Sequence, residues 1–201
     1  MPRYHPHFVA LPHLRFLLVA TVLILALFLL LVPSAGADVE VTACGDFVAA
    51  DQAGYLTRDL DCADYVGAAV VLSDHARLYL GGHVLSGDSL ASGGPTQGVR
   101  CRSGTVCSVI GPGTIVGFSG SGIAGTRVRV RDVVIAGNRR AGVAAYENVR
   151  LRNVFIDANG ALGVHAGGRV RRSGDTVVTE HPQAAVLAAR APVLRPVCSE
   201  N

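Results

Sequence analysis

A repeat of about twenty residues constrains this chain more than any other feature. Gly122-Ile123 opens a segment that runs through Arg127-Val-Arg-Val-Arg131-Asp132-Val-Val-Ile135 to Asn138. Gly142-Val143 opens the next, through Asn148-Val-Arg-Leu-Arg152-Asn153-Val-Phe-Ile156 to Asn159. Gly163-Val164 opens a third, through Arg169-Val-Arg-Arg172 to Asp175-Thr-Val-Val178. An earlier unit from Gly98-Val99 to Gly117 fits with a longer loop, and Ala185-Val186 to Val197 fits as a shorter last one. Within each unit, short runs of alternating apolar residues are punctuated by Gly, Asn and Ser. Alternation signals strands with one buried face, and β-branched residues favour that state. Such a unit cannot bury its own apolar face. Stacking each coil on the next at about 4.8 Å turns the inward Val, Ile and Leu into continuous ladders.

The expected fold is therefore all-β, a single-stranded parallel β-helix of about five to six coils. No stretch after residue 37 carries a convincing helical period. Aromatic residues make up 5% of the chain and Trp is absent, so the core must be built from thin, stackable side chains. Asn138 and Asn159 recur after the last strand of their units. Asn tolerates left-handed backbone geometry and can hydrogen-bond along a stack, so the pair reads as a turn ladder.

The N-terminus is set apart from the repeats. Residues 1–15 carry Arg3 and Arg15 and no acid, residues 16–32 are apolar apart from Thr21, and Ala35-Gly36-Ala37 offers a small-x-small cleavage site. These are the parts of a secretory signal peptide covering residues 1–37. The apolar run is long enough for an uncleaved membrane anchor at 16–32, which stays open as the rival. His5, His7 and His13 fall in this segment and are discounted as a metal cluster. Export places the body in a secreted or extracytoplasmic setting, and all five Cys lie within it. The formal charge of +3 for the whole chain loses two Arg with the leader, and a near-neutral body argues against nucleic-acid binding. The remaining organisation is a capping segment, 38–67, followed by repeats over 68–201. Cys44 and Cys62 flank the capping stretch, Cys101 and Cys107 bracket a short loop, and pairing neighbours leaves Cys198 alone.

Cys44-Gly45 leading to Asp59-Leu-Asp-Cys62, then Leu78-Tyr-Leu-Gly-Gly-His-Val-Leu85, resembles the opening of right-handed parallel β-helix repeat proteins of the pectin lyase-like superfamily. Gly81 stands where that family usually has Asn. The resemblance implies a right-handed solenoid and places His83 as a structural corner residue. Similar proteins often continue past the position of Cys198-Ser-Glu-Asn201, so the resemblance also raises the expectation of a short or truncated member. It implies no particular reaction, because one fold hosts lyases, hydrolases, epimerases and members without known activity.

Arg129 and Arg150 occupy equivalent outward positions and Arg171 joins them, while Arg131 and Arg152 form a second row. Guanidinium groups pair well with carboxylates, so the rows read as a strip for an acidic polysaccharide, or else as a solvated face that Asp132 and Asp157 neutralise. His165, Tyr146 and Arg150 are the candidates for lyase chemistry, which needs a group to neutralise a uronate carboxylate and a base to take the C5 proton. The paired carboxylates of a glycosidase are missing. No zinc spacing, phosphate loop or calcium nonapeptide is present, so neither a metal nor a cofactor is expected. The leading expectation is a non-catalytic surface that binds glycan or cell-envelope material, with a lyase acting on an acidic, uronate polysaccharide as the alternative.

Overall fold

The computed structural model describes residues 38–90, 97–179 and 181–188, all within one compact unit. Every regular element among them is a strand. The chain enters through β1 (Val39–Val41) and then winds through six turns, each made of three strands. The first turn is β2 (Asp46–Val48), β3 (Ala53–Leu56) and β4 (Leu60–Asp61), and the second β5 (Ala68–Leu72), β6 (Arg77–Tyr79) and β7 (Val84–Ser86). The third is β8 (Gln97–Cys101), β9 (Val106–Ile110) and β10 (Thr114–Val116). The fourth is β11 (Ser121–Gly125), β12 (Arg127–Arg131) and β13 (Val134–Ala136), and the fifth β14 (Ala141–Ala145), β15 (Val149–Arg152) and β16 (Phe155–Asp157). The sixth is β17 (Leu162–Ala166), β18 (Val170–Ser173) and β19 (Val177–Val178), after which β20 (Ala184–Ala188) begins another.

Each strand pairs in parallel with its equivalents one turn before and after, giving three sheets. Sheet A runs β1-β3-β6-β9-β12-β15-β18, sheet B runs β2-β5-β8-β11-β14-β17-β20, and sheet C runs from β4 through β7, β10, β13 and β16 to β19. This is a parallel β-solenoid. Residues 38–67, expected to cover the first coil, contribute β1 to β4 and so extend the same three sheets. The register stacks like on like. Leu78, Val109, Val130 and Leu151 form one inward ladder in sheet A. Leu60, Leu85, Ile115, Ile135, Ile156 and Val178 form another in sheet C. Val70, Val99, Ile123, Val143, Val164 and Val186 form the third in sheet B. From Leu78 and Leu85 onward, each rung up to Val164 is at most 2% exposed. Fully burying a side chain of this size contributes about 1.5–3 kcal/mol, so each ladder holds its sheet in register.

The glycines that open the repeats have a steric cause. A Cβ on Gly122 would lie 2.8 Å from Cγ2 of Ile135, and one on Gly142 would lie 2.7 Å from Cγ2 of Ile156. Sheet B runs so close to sheet C at this corner that no side chain fits between them. The asparagine ladder lies at the same corner. Oδ1 of Asn138 accepts from the Phe118 amide at 3.0 Å, and Oδ1 of Asn159 accepts from the amide and Nδ2 of Asn138 at 3.1 and 2.9 Å. At the opposite corner, between sheets A and C, Asp132 and Asn153 take φ of 58° and 51°, and Asn153 Nδ2 donates to Asp132 Oδ1 at 2.9 Å. Both expected disulfides are formed, Cys44–Cys62 and Cys101–Cys107, with Cα atoms 5.8 and 5.9 Å apart. Cys198, the leader and the expected last coil beyond Ala188 lie outside the described residues.

Candidate functional site

Sheet A carries the cationic face. Its strands alternate inward apolar and outward polar residues, and the parallel register puts equivalent outward side chains directly above one another. Arg129, Arg150 and Arg171 pair rung to rung, as do Arg131 and Arg152. All five are exposed. Successive rungs lie about 4.8 Å apart along the stack. Like charges at that spacing repel by roughly 1 kcal/mol per neighbouring pair in water, and more where water is displaced.

Compensation is partial. Arg131 Nε lies 3.2 Å from Asp132 Oδ2, and Arg127 Nε lies 3.5 Å from Glu147 Oε2. Asp157, expected to help, faces elsewhere: it lies in sheet C and accepts a 2.6 Å hydrogen bond from Thr179 Oγ1. Among the described residues, Arg129, Arg150, Arg171 and Arg152 have no acidic partner. Two open grooves follow these rows. One, of about 680 Å3, is lined by Arg127, Arg129, Arg150, Arg169 and Arg171 together with Tyr146, Glu147 and Asn148. The other, of about 510 Å3, lies between Arg129, Arg150 and Arg171 on one side and Arg131 and Arg152 on the other.

The three residues expected to act in lyase chemistry are only partly brought together. Tyr146 stands at the corner between sheets B and A, 83% exposed, and borders the first groove with Arg150. His165 projects from sheet B, in register with Ala144, and borders a different cleft that Tyr146 also reaches. No described cavity holds His165 and Arg150 together. His83 fits its structural reading, since its Nδ1 lies 3.3 Å from Asp59 Oδ1, which also accepts from the Val84 amide at 2.9 Å.

One feature of this face escaped the sequence reading. The outward column that carries Arg131 and Arg152 continues toward the N-terminus through Ile110, Tyr79 and Tyr55. The two tyrosine rings stack at 4.9 Å and 7°. Partial desolvation of the Tyr55 hydroxyl, followed by the Asp38 charge, raises its pKa. The signal was present in Tyr55-Leu56 and Tyr79-Leu80, but the early coils vary in length and hide the register.

Among the described residues no group of three or more His, Cys, Asp or Glu could hold a metal ion, and no helix is long and apolar enough to cross a membrane. The two disulfides point to an oxidising, extracytoplasmic environment. Fold and face together define a parallel β-solenoid with one strongly basic sheet. Set against protein-family profiles, curated proteins and solved structures, the chain matches none.

Proposed function

We propose that the chain is an exported, non-catalytic solenoid of right-handed, pectin lyase-like type whose sheet A binds an acidic polysaccharide. The observation that carries this reading is the column Arg129, Arg150 and Arg171, exposed, in register and without acidic partners among the described residues. A linear polyanion laid along the solenoid axis meets one guanidinium per coil and relieves the repulsion between rungs. Nothing in the column demands a base or a nucleophile. Secretion follows from the leader-like residues 1–37, with anchoring through residues 16–32 as the other outcome of export.

Retention on immobilised pectate or alginate tests the strip. The wild-type chain is expected to bind at low salt and to elute as salt screens the charges. Replacing two exposed partners, Arg129→Ala with Arg150→Ala, is expected to weaken binding about tenfold, whereas Arg58→Ala with Arg139→Ala, which removes the same charge elsewhere, leaves retention in place. Equal behaviour of the two double variants would reduce the strip to a solvated face. A polysaccharide lyase is the second reading, favoured by Tyr146 sharing a groove with Arg150. It requires unsaturated product to accumulate from pectate, alginate or glycosaminoglycan, and flat absorbance on all three retires it.

A further inference from the structure

We infer that a cleft on sheet B, separate from the arginine strip, is a second binding site for a compact ligand bearing both a carboxylate and a hydroxyl group. The outward column of that sheet runs Val71, Arg100, Ala124, Ala144, His165 and Leu187. Two successive alanines, where the neighbouring coils carry longer side chains, open a notch roughly two coils wide, about 10 Å. The cavity above it measures about 590 Å3. That lies within the range of roughly 300–1,000 Å3 usual for small-molecule sites.

The chemistry of the walls selects the ligand. Arg100 and His165 bound the notch at its two ends, and Arg140 enters from the turn before β14. Neither Arg100 nor Arg140 has an acidic partner among the described residues. Two free guanidinium groups facing one cleft call for an anion, and their planar forks match a carboxylate. Gln97 supplies a second and independent demand. Gln97 lines the same cleft, and its Oε1 is buried without a hydrogen-bond partner among the described residues, so a ligand donor reaches it as the side-chain amide turns toward the cleft. A buried acceptor without a donor costs free energy until one arrives, and a carboxylate cannot supply it. A hydroxyl can. The combination describes a hydroxy acid, either the terminal acidic sugar of a glycan or a free polyhydroxy acid. Neither Arg129 nor Arg150 borders this cleft, so the site does not depend on the polymer-binding reading of sheet A.

Isothermal titration of the full chain with glucuronate, gluconate, glucose and sulfate tests the site. Saturable binding is expected for at least one of the two hydroxy acids. Glucose, which lacks the carboxylate, and sulfate, which lacks a hydroxyl donor on carbon, are each expected to bind at least tenfold more weakly. Preference for glucuronate identifies the ring sugar as the source, and preference for gluconate identifies a free acid. Ala144→Leu fills the notch at an outward register position where the next coil carries His165 and the coil two before carries Arg100, so folding is retained and affinity drops more than tenfold. Gln97→Leu weakens hydroxy-acid binding and leaves any residual sulfate binding unchanged. Arg129→Ala with Arg150→Ala leaves this titration unaltered, which separates failure here from failure of the strip. Absence of saturable binding by both hydroxy acids, equal affinity for sulfate, or undiminished affinity in a folded Ala144→Leu chain overturns the assignment.

Discussion

Asn159 is 1% exposed and uses both ends of its side chain. Oδ1 accepts two hydrogen bonds from Asn138, while Nδ2 donates to the carbonyls of Asp157 and Ile135 at 3.0 and 3.3 Å and meets His181 Nε2 at 3.3 Å. Asn159→Ala strands buried donors and acceptors on three successive coils. A loss of about 2–4 kcal/mol is expected in urea denaturation, against the 1–3 kcal/mol of a single unsatisfied group. Two aspartates add to the acid sensitivity. Asp74 is held below the ordinary carboxylate range chiefly by the hydrogen bond from the Val106 amide, and Asp59 by that from the Val84 amide. A carboxylate whose folded pKa is depressed adds stability above its unfolded value, near 4, and loses it as pH falls through the folded value. Denaturation midpoints are therefore expected to hold from about pH 7 to 5 and to fall below about pH 4. Asp74→Asn, compared at pH 7 and pH 3, is expected to show a smaller acid drop than the wild-type chain.

At the scale of the strand, β14 sets two neighbouring positions against each other. Gly142 sits at the tight corner, where a Cβ would meet Ile156 Cγ2 at 2.7 Å and the Gly163 carbonyl oxygen at 2.8 Å. Ala144, two residues on, faces outward into the sheet B cleft. Gly142→Ala is expected to cost about 1–3 kcal/mol by overpacking, with a lower melting temperature, although it adds one methyl group and improves intrinsic propensity. Gly142 and its equivalents were legible in the sequence as the opening of each repeat. Their reason was not, because it depends on how closely sheets B and C approach. The arginine rows follow the same division. Alternation placed them outward and adjacency offered Asp132 as a partner, but only the structure showed that it serves Arg131 and that Asp157, in sheet C, serves neither row.

For the whole molecule, what matters is where the stacked ladders are interrupted, and among the described residues sheet A ends at β18. In sheet A the inward ladder Leu78, Val109, Val130 and Leu151 is followed by Arg172, which is exposed. A charge at a core register position resists the addition of another strand, which is how many natural sheets guard an edge. Arg172→Leu is expected to favour self-association, read as a rise in weight-average mass with concentration in sedimentation. An unchanged monomer signal at all concentrations would show that this arginine guards nothing.

The repeat identified a solenoid from its residues alone because periodic burial is a local property: each coil of about twenty residues shows its inward and outward positions in its own alternation. The approximate number of coils and the asparagine ladder follow from that same regularity, whereas the two disulfide pairs come from matching neighbouring cysteines. The candidate sites are different, since they depend on neighbours roughly twenty to thirty residues apart in sequence. Lateral register decided that three arginines stand in one column without an acidic partner among the described residues, that His165 and Arg150 belong to separate faces, and that two alanines open a cleft lined by Gln97, whose Oε1 is buried. A one-residue difference in coil length moves such neighbours together or apart without disturbing the pattern within either coil, so only the tertiary structure could decide them.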